Sequence, residues 1–425
     1  MVGGRKNSPT KSLLQKGETL DYKVVTECRV CKSKDLHKYL DLGKVPLCNS
    51  LITQESPTQE KYPVQVLFCS ECSLSQLSVV IDPRVLYKDY VYFSSVSNTF
   101  KKHCFDLANE LRKDFPDFEY PLVVDIASND GCLLEQFKEA GYQRFLGIEP
   151  SENLTTTYFE RQLPVLNKFW SEDIAREYLW KANGADIITA TNVMGHVDNL
   201  EDFVKGVYAG LSDDGIFVGE VPYLPNLING NQFDTIYHEH LSYFLLAPLV
   251  RIFKENRVPI FKVKKLDIHG GSIRIYASKD NYEEDGSVEE MLNFEEQFRF
   301  YDFTRYVHFS TQVDATITNL RNMLIDLYNT EAKVVGYGAS AKGISLLNYI
   351  DVGCGYIKCI IDDTKCKQGK MTPGTHIPIV DFSGFEKENP DYIFLLAWNF
   401  AKEMIEKTKH VGAKYIIPIP SVKIT

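Results

Sequence analysis

The 425-residue chain has no uninterrupted apolar run near the roughly 20 residues that span a bilayer. Its first 22 residues also lack the apolar block of a secretory signal. No membrane association is expected, and the cytoplasm is the expected compartment. There is no surplus of positive charge either: Lys and Arg total 47 against 57 Asp and Glu, for a net charge of -10. That balance argues against chain-wide attraction to nucleic acid. Internal repeats are missing, as is the His-Glu-x-x-His pattern of helix-borne zinc sites. The ten cysteines do not read as a disulfide framework, because cytosolic thiols stay reduced. Six of them, Cys48, Cys104, Cys132, Cys354, Cys359 and Cys366, show no paired spacing and read as ordinary thiols.

What is present is core-forming material for several domains. Hydrophobic residues make up 44% of the chain, with 25 Phe and 24 Tyr, which excludes global disorder. The polar start, residues 1–22, reads as a disordered tail. A cysteine-paired unit follows over 23–95. Between 96 and 281 strand-like and helix-like patterns alternate: Leu122-Val-Val-Asp-Ile126, then helix from Leu133, then Arg144-Phe-Leu-Gly-Ile-Glu149, with later strands at Asp186–Ala190 and Gly215–Glu220. That order predicts a doubly wound parallel sheet. Ile260–Lys265 and Ser272–Ser278, around Asp267-Ile-His-Gly-Gly271, predict a hairpin added at the sheet edge. Residues 282–331 carry apolar positions at three- and four-residue steps and read as a helical linker. Residues 332–425 repeat the α/β logic, with strands expected at Lys333–Gly336, Tyr356–Ile361, Tyr392–Leu396 and Tyr415–Ile417.

Cys28-Arg-Val-Cys31 and Cys69-Ser-Glu-Cys72 are two knuckles separated by enough chain to fold back on themselves. Four thiolates meet the tetrahedral, soft-ligand demand of Zn²⁺ and leave no position open, so a structural metal is expected. Asp125-Ile-Ala127-Ser128-Asn129-Asp130-Gly131 lies where the first strand turns into its helix, the cofactor position of a doubly wound sheet. It carries one glycine, whereas a pyrophosphate favours a glycine-rich cradle. S-adenosylmethionine has no phosphate and presents a cationic amino group, for which Asp125 and Asp130 are suited. Glu149, ending the second strand, suits the ribose hydroxyls.

Asn192-Val-Met-Gly-His196 follows a later strand at its carboxyl end. Tyr237-His238-Glu239-His240 follows the next strand and a loop with two prolines. Together they offer proton-handling groups of the kind carbon methylation needs: a base for a C–H beside a ketone and a donor for the enolate oxygen. A metal on His238 and His240 is the competing reading, and buried structural histidines the plainer one. In the C-terminal region Gly336-Tyr-Gly338-Ala-Ser-Ala341 matches a dinucleotide fingerprint, with Asp362-Asp363 ending the next run. This raises an NAD(P)-dependent oxidoreductase as the alternative function. It is not a Walker loop, since Ala341 and Gly343 stand where Gly and Ser or Thr are required.

These motifs, with Leu40-Asp-Leu-Gly43, Pro46-Leu47, His269-Gly-Gly-Ser272, Lys342-Gly343 and Ala397-Trp-Asn399, occur in series. In that order the chain resembles the zinc-containing S-adenosylmethionine-dependent sugar C-methyltransferases that make branched deoxysugars, such as the C-3 methyltransferase of the tetronitrose pathway. The resemblance implies a small zinc-binding domain, a central Rossmann-like class I methyltransferase domain and a C-terminal Rossmann-like domain. It implies a nucleotide-linked, dTDP-type 4-keto deoxysugar as substrate. His240 falls on the family's base, with Tyr237, Glu239 and His196 in support and Tyr92 as an aromatic reaching the sugar. Asn192 joins the cofactor set, Gly338, Lys342 and Lys367 the substrate set. A monomer is the expected state.

Overall fold

A computed structural model describes residues 22–56, 58–87, 90, 93–180, 183–279 and 282–425. The tail expected over 1–22 lies outside the described residues except Tyr22, which begins the strand Tyr22–Val24.

Leu122–Ile126 is a short run in which Leu122, Val123, Val124 and Ile126 flank Asp125, buried on both faces in the pattern of a central parallel strand. It sits in a seven-stranded sheet ordered Ile260–Leu266, Ser272–Ser278, Leu211–Pro222, Ala185–Thr191, Leu122–Ile126, Arg144–Ile148, Val165–Leu166. The last five strands pair in parallel, while Ser272–Ser278 pairs antiparallel with both Leu211–Pro222 and Ile260–Leu266. The hairpin therefore stands at the sheet edge, as the sequence predicts. Helix Asn98–Asp114 is started by Ser97, whose side chain accepts from the Phe100 amide. It buries Phe100, Cys104, Leu107, Ala108 and Leu111 against the sheet, whereas Phe105 is exposed.

The N-terminal sheet is ordered Ser242–Tyr243, Ser75–Leu77, Tyr62–Cys69, Leu36–Val45, all antiparallel. Its first strand comes from the central region, two residues past His240. The C-terminal sheet runs Ile379–Val380, Ile360–Ile361, Val334–Tyr337, Tyr392–Leu395, Lys414–Ile417, Lys423–Ile424. Only Ile360–Ile361 of the expected Tyr356–Ile361 run is strand, because Tyr356 and Ile357 turn back with their amides on the Gly353 carbonyl.

Residues 282–331 are more than a connector. Helix Phe303–Asn329 buries Tyr306, Phe309, Val313, Leu320 and Leu324. Tyr306 packs on Tyr39 and Phe68 of the N-terminal sheet, with ring centroids 5.1 and 4.6 Å away. The same apolar cluster runs on to Ile360 and Phe394, so the outer two units share one core. No helix among the described residues is long and apolar enough to cross a membrane.

Candidate active site

The thiols of Cys28, Cys31, Cys69 and Cys72 all lie within 4.8 Å of one another. Cys28 and Cys72 are 3.5 Å apart, as are Cys31 and Cys69. Zinc–sulfur bonds of about 2.3 Å place tetrahedral thiolates roughly 3.8 Å apart, so the quartet fits a zinc ion. Among the described residues it is the one group of three or more potential ligands that converges this way.

The candidate cofactor loop closes on itself through side chains. Ala127, Asn129 and Gly131 have φ of 53°, 53° and 80°, so the chain turns sharply off the strand. A Cβ at Gly131 would come within 2.7 Å of Leu163, which leaves glycine as the residue that fits. Glu149 accepts the Asn129 amide at 2.8 Å and the Ser151 amide at 2.8 Å. Asp125 accepts from the Thr189 hydroxyl at 2.7 Å, and burial pushes its carboxyl up to about 7. Ser128 receives the Tyr158 hydroxyl. Residues 94–95 lie over the loop, donating amides to Asn129 Oδ1 and Asp130 Oδ2. Two buried acceptors are left without partners here, Asp130 Oδ1 and Asn192 Oδ1. Unpaired buried acceptors beside buried carboxylates suit a ligand that brings a cation and donors, which is what S-adenosylmethionine presents.

Across the crevice the histidines meet. The His196 and His240 rings stand edge to face with centroids 4.8 Å apart, and Tyr237 lies 4.1 Å from His240. His240 Nδ1 is 2.6 Å from the Thr235 carbonyl oxygen. A carbonyl only accepts, so Nδ1 carries the hydrogen and Nε2 keeps its lone pair. Burial, then the nearby His196, and further Lys342 and His269, hold the ring well below its ordinary pKa. His240 is thus a neutral acceptor at pH 7. His196 is also held neutral, pushed down to about 4 by burial, and its Nδ1 is 2.9 Å from the Tyr87 hydroxyl. Glu239 accepts from Asn49 at 2.6 Å and from Tyr90 at 3.5 Å, and burial pushes it up to about 7. Burial raises Tyr237 well above a normal phenol.

His238 turns away. Its Nε2 donates to the Tyr62 carbonyl at 3.2 Å and its ring packs edge-on against Tyr62. Among the described residues neither ring joins a convergent group of three or more potential ligands, so nothing supports the metal reading of this pair. Tyr92 lies outside the described residues. Tyr87, Tyr90, Asn49 and Thr235 are site neighbours that motif spacing does not reveal. Asn49 lies two residues past the Pro46-Leu47 stretch, and Tyr87 and Tyr90 lie in an aromatic-rich run, which is the only sequence signal they carry.

The substrate-set residues separate. Lys342 opens helix Ala341–Ile350 and stands close enough to act electrostatically on His240, His269 and buried Asp234, whose Oδ2 accepts from Trp398 at 2.7 Å. Gly338, at φ 91°, lies under Ala397 and Met404. Lys367 is turned inward, donating to the Ala339 carbonyl at 2.9 Å and standing 3.7 Å from Asp362. A cavity of about 500 Å³ opens beside Glu239, Asn49, Tyr90, Arg84 and Lys370. Another, of about 430 Å³ near Arg112 and Tyr120, lies by the amino end of Leu122–Ile126, away from the cofactor loop.

Fold and donor sets together define a methyltransferase-type α/β protein with a tetrathiolate domain. The family description "C-methyltransferase C-terminal domain" matches residues 267–420, "Methyltransferase domain" residues 100–256, and a zinc binding domain residues 28–87. The chain is 32% identical to C-methyltransferase NovU of Streptomyces niveus, over 94% of this chain and 97% of that protein. This chain belongs to that family of S-adenosylmethionine-dependent C-methyltransferases, with a zinc-binding domain at its amino end. Solved structures with a similar fold include an S-adenosylmethionine-dependent methyltransferase from Clostridium acetobutylicum (14% identity, 42% of this chain and 91% of that one, TM-score 0.34). Magnesium protoporphyrin IX methyltransferase from Synechocystis is another (13% identity, 42% and 78%, TM-score 0.32).

Proposed function

We propose that the enzyme methylates the carbon beside the ketone of a nucleotide-linked, dTDP-type 4-keto deoxysugar, with His240 as the general base. One observation carries the reading: the Thr235 carbonyl fixes the protonated nitrogen of His240 and leaves Nε2 as a buried, uncharged acceptor. Bound S-adenosylmethionine supplies an electrophilic methyl group. Asp125, Asp130, Glu149 and Asn192 would hold it, along the backbone turn Ala127–Gly131.

Nε2 takes the α-proton, and the C–H electron pair becomes the enolate double bond. The enolate carbon then bonds to the methyl as the carbon–sulfur bond breaks, giving the branched sugar and S-adenosylhomocysteine. Tyr237, whose ring lies tilted against the base, and His196, edge to face with it, orient the ring and line the space for the enolate oxygen. Glu239 borders the cavity of about 500 Å³, where Lys370 supplies positive charge suited to a diphosphate. The serial motifs shared with sugar C-methyltransferases support this substrate class.

Incubation with a panel of nucleotide keto sugars should yield a product heavier by one methylene for at least one of them, read by mass spectrometry. His240→Asn should lower turnover about 10²–10⁴-fold while still binding S-adenosylhomocysteine. Wild-type turnover in that variant would place the base elsewhere.

A further inference from the structure

One of the two residues between the first two zinc-ligand cysteines is an arginine with almost no solvent contact: Arg29 is 4% exposed. A surface zinc knuckle does not require a buried guanidinium, so its contacts identify its role. Its amide donates to Gln76 Oε1 at 2.9 Å, seating the knuckle on the Ser75–Leu77 strand. Its Nη1 donates to two carbonyl oxygens, Leu77 at 3.3 Å and Leu241 at 3.1 Å. Its Nε donates to Asp198 Oδ1 at 3.3 Å.

Two of these partners are next to the histidine pair. Leu241 follows His240 directly, and Asp198 lies two residues past His196. The same junction is closed by the backbone, since the Leu241 amide donates to the Gly195 carbonyl at 2.7 Å and the Leu77 amide donates to the Leu241 carbonyl at 2.9 Å. One guanidinium therefore bridges the loop that carries His196, the segment that carries His240, and the knuckle between Cys28 and Cys31. Its planar fork can reach all three at once, whereas a lysine ammonium on the same stem presents one point. Among the described residues Nη2 finds no acceptor, so burying this guanidinium carries a desolvation cost.

We propose that Arg29 is a positioning residue that sets the spacing of the His196 and His240 rings, making the zinc knuckle part of the catalytic framework. The inference rests on the reading of those histidines as the reacting pair. Mispositioning a base by about 1 Å can cost on the order of 100-fold in rate without weakening substrate binding.

The test uses the zinc-loaded enzyme with Arg29→Gln and Asp198→Asn. Arg29→Gln is expected to keep full zinc content and its affinity for S-adenosylhomocysteine, with kcat falling about 10–100-fold and KM little changed. In ¹⁵N-histidine-labelled protein the ring signals of His196 and His240 should shift, while those of exposed His37 and His410 stay in place. Asp198→Asn removes the carboxylate charge that faces the guanidinium and leaves the cysteines and Arg29 intact. It should move the same two ring signals, with a smaller loss of kcat, and it decides the matter if Arg29→Gln loses zinc. Unmoved ring signals in the zinc-bound variants overturn the proposal. If they move but no keto sugar is methylated even by the unaltered enzyme, positioning stands and the substrate reading fails. If methylation is observed and the variants match it in rate and spectrum, the substrate reading stands and positioning fails.

Discussion

Two turns in this molecule are built to the same plan, and they end differently. In the central sheet, Leu122–Ile126 leads into the turn at Ala127–Gly131, and Glu149 closes the neighbouring strand. In the C-terminal sheet, Val334–Tyr337 leads into the turn at Gly338, and Asp362 closes the neighbouring strand. Both acids accept a backbone amide from the turn opposite: Glu149 from Asn129 at 2.8 Å, Asp362 from Ala339 at 2.8 Å. The difference lies in what comes next. Beside Asp362 stands Lys367, whose ammonium bonds the Ala339 carbonyl and balances the carboxylate. Among the described residues no cation is bonded to Glu149, and although Arg161 stands 3.6 Å from Asp130 Oδ2, Asp130 Oδ1 and Asn192 Oδ1 stay buried without donors. One turn satisfies itself; the other leaves buried acceptors that suit a ligand. A Gly-containing turn with an acid on the next strand marks a fold position, and the residual hydrogen-bonding demand marks a binding site.

The contrast can be broken most directly at the two acids. Glu149→Ala should weaken S-adenosylhomocysteine binding by roughly 10–100-fold, since it removes charge-assisted hydrogen bonds and loosens the turn. Asp362→Ala should leave that affinity unchanged by titration calorimetry. Equal losses in both would mean that the C-terminal turn also contacts the cofactor. NAD(H) should produce no thermal shift with either protein, and a clear shift would revive the oxidoreductase alternative. Asp362→Ala should act on stability instead. It strands a buried amide and leaves Lys367 without its counter-charge, costing about 1–3 kcal/mol, visible as a lower denaturant midpoint.

Protonation sharpens the same comparison. Burial pushes Asp125 up to about 7, so in the free enzyme it gains a proton as the pH falls through neutrality. A cationic ligand favours the carboxylate, so binding must expel that proton at lower pH. Affinity for S-adenosylhomocysteine should therefore fall below pH 7, approaching about tenfold per unit, and level off above it. A flat profile between pH 6 and 8 would separate Asp125 from the ligand. Stability follows a different window. His196, His238 and His269 are pushed down from 6.5 to about 4 by burial. Their neutral forms belong to the folded state, so stability is full above 6.5 and is lost as pH falls toward 4.

Why the sequence discloses one layer and not another follows from the range of the interactions. The zinc quartet is legible because both knuckles are local and ligand chemistry leaves few options. The central strands are legible because Leu122–Ile126 and Ala185–Thr191 are rich in β-branched and apolar residues that suit burial on two faces. Ser242–Tyr243 carries no such signal: it is two residues long, and it is strand only because Ser75–Leu77 pairs with it. Tyr87 and Asn49 reach His196 and Glu239 across more than 100 residues of chain, so no local spacing reveals them. His238 is indistinguishable from His240 by sequence position. What divides them is which carbonyl each ring meets, Tyr62 or Thr235.

The smallest expected effect is the most pointed test of the self-satisfied turn. Lys367 has the composition of a diphosphate ligand and stands in a Gly- and Lys-rich loop, yet its ammonium is directed to the Ala339 carbonyl and to Asp362. If that arrangement persists with substrate bound, Lys367→Met keeps the stem packed and removes only the charge. KM for the nucleotide sugar should then change less than about threefold, because a partner already paired inside the fold contributes little to binding. Lys370, on the wall of the cavity beside Glu239, should show the larger rise in KM when replaced by Met. A reversal, with Lys367→Met raising KM tenfold or more and Lys370→Met silent, would mean that the ammonium leaves Asp362 for the diphosphate. The C-terminal turn would then be closed only until the substrate arrives.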